Sequence, residues 1–155
     1  MRQLAATVLM LVAFAAVASD DLAERYDRDQ LVIVTSVRSC HSFEVFLALT
    51  FEQKRQGLMH VRNLAPNTGM LFVYNDNTEH SMWMKNTYIP LDILFIRNDG
   101  SVARVARNTK PLSLESIGSG EPVSFVLELN AGIADALGID EDSRMIWEGA
   151  FGSDE

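Results

Sequence analysis

One cysteine, Cys40, stands in a chain of 155 residues, so no disulfide can form within it. A small scaffold held together by cross-links is therefore excluded. Four prolines and nine glycines are too few for a collagen-like or low-complexity chain. Basic residues are scarce too: 13 Lys and Arg face 21 Asp and Glu, a formal charge of −8. Nucleic-acid affinity rests largely on phosphate neutralisation, so an acidic chain without a basic cluster is not expected to have a nucleic-acid partner. The familiar catalytic spacings are missing as well. There is no G-x-S-x-G elbow, no P-loop, no H-E-x-x-H and no C-x-x-C. His41, His60 and His80 lie far apart along the chain, so a joint metal site would need the fold to assemble it. Asp140-Glu141-Asp142 lacks the glycine and the ligand spacing of a calcium loop.

What is present is apolar material, 48% of the residues, enough for the core of one domain. Residues 1–18 read as an export signal: Arg2 is a short positive start, Leu4 to Val17 is apolar apart from Thr7, and Ala16-Val17-Ala18 is a small–x–small cleavage pattern. The apolar run is shorter than the roughly 20 residues that span a bilayer. The expectation is a periplasmic or secreted protein, cut near Ala18, with no membrane span afterwards. Residues 19–29 are expected to be a flexible arm, 30–149 a single β-rich domain, and 150–155 a frayed end. Cys40-His41 resembles a nucleophile beside a base, yet the segment reads as extended, and adjacent strand residues point to opposite faces.

The pattern along the domain is mostly of period two. Leu31 to Val34 and Phe43 to Leu49 read as strands. Thr50-Phe-Glu-Gln is a capping box that opens a short helix to Gln56, stopped by Gly57. Met70 to Tyr74 and His80 to Lys85 read as extended, separated by a turn at Asn75-Asp76-Asn77. Asn98-Asp99-Gly100 joins two strands as a hairpin. Residues 107–122 read as irregular, Val123 to Leu129 as a strand, and Ala131 to Leu137 as a short helix capped by Asn130 and ended by Gly138. Arg144 to Trp147 closes as a last strand. The fold class is mainly β, a β-rich α+β domain: a compact, mostly antiparallel barrel or sandwich of about seven or eight strands with two short helices.

Chemistry concentrates between His80 and Asp92. On a strand His80, Met82 and Met84 share a face, and an imidazole with two thioethers suits Cu(I); methionines that fill core gaps are the alternative. Lys85, Asn86, Thr87 and Asp92 surround a Pro90 turn and form a polar binding group, with Lys85 able to receive an anion. The competing view is that Asn86 and Thr87 satisfy turn backbone while Lys85 pairs with Asp92. Glu128 opposes Leu127 and Leu129 on its strand. If those two are core, Glu128 is solvent-facing or lines a cleft.

Five ordered blocks carry a family resemblance. They are Thr-Phe-Glu-Gln-Lys-Arg-Gln-Gly-Leu-Met (50–59), Gly-Met-Leu-Phe-Val-Tyr (69–74), Met-Trp-Met-Lys-Asn-Thr-Tyr-Ile-Pro-Leu-Asp (82–92), Val-Leu-Glu-Leu-Asn-Ala-Gly (126–132) and Leu-Gly-Ile (137–139). Over residues 43–145 the chain resembles the domain of unknown function 192 family. The resemblance implies a compact β-rich single domain, often exported, in bacteria and archaea, and it carries no activity with it. The chain departs from the family at Phe51, where Thr-Pro is usual, at Val61, at Asp142-Ser143 and at Met82, where Phe is common. The reading at this point is an exported, non-catalytic binding or accessory domain. It acts as a monomer on an exported protein or small ligand, through Lys85, Asn86, Thr87, Asp92 and Glu128, with no catalytic residue and no cofactor. Two alternatives stand beside it: a copper carrier using His80, Met82 and Met84, and a hydrolase-like enzyme using Asp92 and Glu128 with Lys85 and Asn86.

Overall fold

The computed structural model describes residues 22–150; the export signal expected at residues 1–18 and the frayed end expected beyond 150 lie outside the described residues. Seven strands form one sheet: β1 (Asp27–Val34), β2 (Cys40–Ala48), β3 (Thr68–Met82), β4 (Leu91–Ile96), β5 (Val102–Ala106), β6 (Ile117–Asn130) and β7 (Arg144–Ile146). Two short helices interrupt them, α1 (Phe51–Gln56) and α2 (Ile133–Leu137), and a helical turn covers residues 22–25. The strand order is β5-β4-β6-β3-β2-β1-β7. Every pairing is antiparallel except β2 with β3, whose connection passes through α1.

The two outer strands turn back on each other, so the sheet is a nearly closed barrel. Met145 N–H donates to the Gly100 carbonyl at 2.8 Å, and Val102 N–H donates to the Ser143 carbonyl at 3.0 Å. The inward residues of all seven strands then meet in one core, including Leu31, Phe43, Leu71, Leu94, Val102, Leu127 and Met145. A second apolar layer covers the outside of β2, β3, β4 and β6, built on Phe46, Phe72, Ile93, Phe95 and Val126. It explains why β4 is buried at all six positions: both of its faces are covered.

Several expectations need correction. The arm is not loose over residues 22–29: Leu22 and Tyr26 are buried in the outer layer, and Tyr26 Oη donates to the Gly57 carbonyl at 3.1 Å. The turn expected at Asn75-Asp76-Asn77 is an irregularity inside one long strand, where the register of β3 against β6 shifts between Val73 and Thr78. A bulge absorbs extra residues without ending the strand. β6 begins at Ile117, inside the stretch expected to be irregular. Asn130 does not cap α2. Its amide donates to the carbonyls of Leu64 and Ala65, and the cap position is Gly132, at φ 86°.

The capping box of α1 is present in full. Gln53 N–H donates to Thr50 Oγ1 at 3.2 Å, and Gln53 Oε1 accepts from the amides of Leu49 and Thr50, each at 3.0 Å. Gln53 also donates to the Arg25 carbonyl, fastening the helix to the first turn. α1 therefore holds a fixed place above the outer face of β3.

Candidate functional site

Alternation along β6 decides where Glu128 goes. Leu127 and Leu129 point into the barrel, so Glu128 emerges on the outer face, as the strand period requires. It does not reach open solvent. α1 and the chain after it roof that face, leaving a cleft of about 100 Å³ with Glu128 in its wall. Glu128 is 4% exposed. Its strand neighbours are Met70 on β3 and Ile93 on β4, both fully buried apolar residues. Among the described residues no group donates a hydrogen bond to its carboxyl. Burial pushes the Glu128 carboxyl up to about 8, because the ionised form has lost its water.

Other ionisable side chains gather around that carboxyl. Tyr74 of β3 lines the cleft, and its phenol is pushed up to about 12 by burial and by the negative charges of Glu128 and Asp76. From α1, Lys54 places Nζ 4.9 Å from the centre of the Tyr74 ring. Burial lowers the Lys54 ammonium, and Asp76 opposes that shift. Lys85, in the chain leaving β3, places Nζ 4.9 Å from the centre of the Trp83 ring. Neither lysine forms an ion pair among the described residues, whereas Arg55, also on the cleft wall, is paired with Glu52 at 2.7 Å. Trp83 is 46% exposed and stands between this cleft and a second hollow lined by Leu114 and Ser116. The wall of the cleft is tied together. His60 N–H donates to the Asn86 carbonyl at 2.8 Å, and Thr87 N–H donates to the Met84 carbonyl at 3.1 Å.

The fold brings Lys85, Thr87 and Glu128 to one cleft. Asn86 sits behind its wall at φ 56°, with Nδ2 3.9 Å from the Met59 sulfur. Asp92 is elsewhere. It pairs with Leu129 in the sheet, whereas Glu128 pairs with Ile93, so the two carboxylates face opposite sides. Asp92 is fully buried, and its two oxygens accept from Asn108 N–H and Ala134 N–H, each at 2.9 Å. It holds the first turn of α2 to the sheet. The paired-carboxylate arrangement is thereby removed, as is an ion pair between Lys85 and Asp92.

Of the three soft donors, His80 and Met82 both touch Tyr74, and Met84 lies apart. His80 stacks on Tyr74, with ring centres 3.6 Å apart, and its Nε2 lies 3.0 Å from Asp76 Oδ1. Met82 packs beside Tyr74, whose hydroxyl is 3.8 Å from its sulfur. Met84, beyond the end of β3, is fully buried, and its sulfur accepts from Thr109 Oγ1 at 3.2 Å. Cys40 is exposed at the start of β2, and no cluster of three or more His, Cys, Asp or Glu suited to a metal exists among the described residues.

Lys54, Arg55 and Tyr74 were not among the expected site residues. All three lie inside the blocks 50–59 and 69–74 that carry the family resemblance. Their signal was present, but the helix read only as a capping element and the strand only as core. A further hollow of about 310 Å³ beside Arg25 and Tyr26 has no buried carboxyl or ammonium group among its lining residues.

The comparisons agree with this architecture. No curated protein sequence matches the chain. A crystal structure from Sinorhizobium meliloti 1021, provisionally described as a transcription regulator, is 42% identical, with a TM-score of 0.79 over 80% of this chain and 96% of the other. A protein of unknown function from Novosphingobium aromaticivorans DSM 12444 is 33% identical, with a TM-score of 0.75 over 77% of this chain and 85% of its own. The model of the family DUF192, "Uncharacterized ACR", matches residues 32–147, which span the sheet from β1 to β7, and the chain belongs to that family.

Proposed function

We propose that this domain is an exported, non-catalytic binding or accessory module that holds a small ligand in the Glu128 cleft. One observation carries the reading: a carboxyl withdrawn from water, without a hydrogen-bond donor among the described residues, opens onto a cleft with two unpaired ammonium groups at its rim. The carboxyl keeps its remaining exposure through the cleft, so a ligand there meets a group that burial has deprived of most of its water. The export signal at residues 1–18 supports a periplasmic or secreted location. Asp92 serves the backbone of α2, and among the described residues no nucleophile and base are hydrogen-bonded together around Glu128, which favours binding over turnover. The acidic balance of this chain runs against a nucleic-acid partner for it.

Native mass spectrometry of the protein purified from its own export compartment tests this. The expected spectrum shows a chain cut near Ala18, monomeric, with a small adduct that Lys54→Ala and Lys85→Ala together remove. Turnover that disappears in Lys85→Ala while the fold persists would sink the non-catalytic reading.

A further inference from the structure

Given the cleft reading above, on which this step rests, we infer that its ligand is a small organic acid whose carboxylate is held by a proton-sharing hydrogen bond from the Glu128 carboxyl and by the ammonium groups of Lys54 and Lys85. Three observations define the class. A neutral carboxyl offers one O–H donor, and its natural acceptor is an anionic oxygen. Glu128 faces the cleft with that donor unused, and burial keeps it neutral well above the ordinary carboxylate range. The ligand's charge is met at the rim, where Lys54 and Lys85 carry no ion pair among the described residues. Arg55 adds to the local positive field but is engaged with Glu52.

From β3, Tyr74 stays neutral at physiological pH, while Asp76, 3.0 Å from His80, also acts on the Lys54 ammonium and tempers the positive charge on that side. From β4, Ile93 is the neighbour of Glu128 and brings no charge. On a chain of formal charge −8, the mouth is thus a local positive island. A cationic ligand would meet both lysines before it reached the carboxyl. Hydroxyls of Tyr74, Ser81 and Thr87 also line the cleft, so inorganic phosphate is the competing anion that the titration separates from a carboxylate. A monoanionic carboxylate with a short apolar tail matches both floor and rim. Trp83, beside Lys85, offers a ring face to that tail.

The test is a titration of the whole folded domain, ¹⁵N-labelled, with propionate, propionamide, methylammonium and inorganic phosphate. It is read at the Trp83 indole and the Gly57 amide. Propionate is expected to saturate in roughly the millimolar range, as befits so small a ligand. Its Kd should rise about tenfold per pH unit above the Glu128 titration, while Glu128→Gln, whose amide donates without titrating, removes that rise and binds at least about fivefold tighter than wild type at pH 9. Lys54→Ala and Lys85→Ala, surface changes that leave the fold intact, should each weaken propionate several-fold. Saturation by methylammonium or phosphate with no response to propionate would overturn the carboxylate class and leave the cleft as a binding site. No saturable shift with any of the four would overturn the inference and the cleft reading together. Propionate binding that is indifferent to pH in wild type would overturn the shared proton.

Discussion

Glu128 makes the stability of this domain depend on pH in the direction opposite to most carboxylates. In the unfolded chain its carboxyl releases the proton near the ordinary value of 4.5; in the folded domain it holds it up to about 8. Between those values folding takes up a proton, so stability falls as pH rises. Below the window both states are protonated and the term vanishes; above it both are ionised and the full penalty of a buried charge is present. The slope reaches about tenfold in the folding constant per pH unit, which sums to roughly 5 kcal/mol across the whole window. Glu128→Gln keeps the shape and removes the titration. Urea unfolding of both proteins from pH 4 to pH 9.5 measures the difference, with the variant level with wild type at acid pH and progressively more stable above it. The midpoint of the divergence should coincide with a ¹³C titration of the Glu128 carboxyl. Parallel profiles, with no divergence between pH 5 and 8, would refute the argument. They would mean that the carboxyl meets water or a donor that keeps it ionised.

Other predictions follow from the same geometry. Asp92→Ala deprives Asn108 N–H and Ala134 N–H of a buried acceptor, and charge-assisted bonds of this kind are worth about 1.5–3 kcal/mol each. A loss on the order of 3–5 kcal/mol by urea unfolding is expected, with the amides of α2 exchanging faster. Thr50→Ala removes the cap of α1 and should cost about 1 kcal/mol. Its effect on the Tyr74 and Lys54 resonances would report how firmly that cap seats the cleft roof. Gly100→Ala places a methyl against the Met145 carbonyl at a residue held at φ 87°, so the melting temperature should drop by several degrees. Excess Cu(I) should leave the melting temperature unchanged, since the Met84 sulfur is sealed in the core beside Thr109. A rise that Met82→Leu with Met84→Leu abolishes would restore the carrier reading.

The fold was legible where local chemistry and period agreed. The Asn98-Asp99-Gly100 hairpin and the Thr50–Gln53 box are short-range devices whose hydrogen bonds close within a few residues, and both stand as read. Asn75 to Asn77 misled because a bulge and a turn use the same residue types, and only the partner strand β6 distinguishes them. Asn130 misled for a similar reason: its amide had two places to go, and a distant pair of carbonyls at Leu64 and Ala65 took it. At the site, alternation of Leu127, Glu128 and Leu129 sufficed to place Glu128 outside the barrel. Nothing local reveals that α1 roofs it, since that depends on the parallel crossover from β2 to β3. Asp92 is the converse case. Its neighbours in sequence are Lys85 to Pro90, but its register against Leu129 turns it to the other face, where α2 waits.

The pairing of β1 with β7 has a kinetic consequence. Val32 opposes Ile146, and Val34 opposes Arg144, so the last seam to form joins segments from opposite ends of the domain. Loop-closure entropy makes such distant contacts slow to form. Until β7 arrives, β1 and β5 each present an open row of amides and carbonyls, which other unfinished chains can pair with. A domain closed this way is most exposed to aggregation while its final strand is missing. Truncation before Arg144 should therefore yield insoluble protein rather than a smaller soluble one.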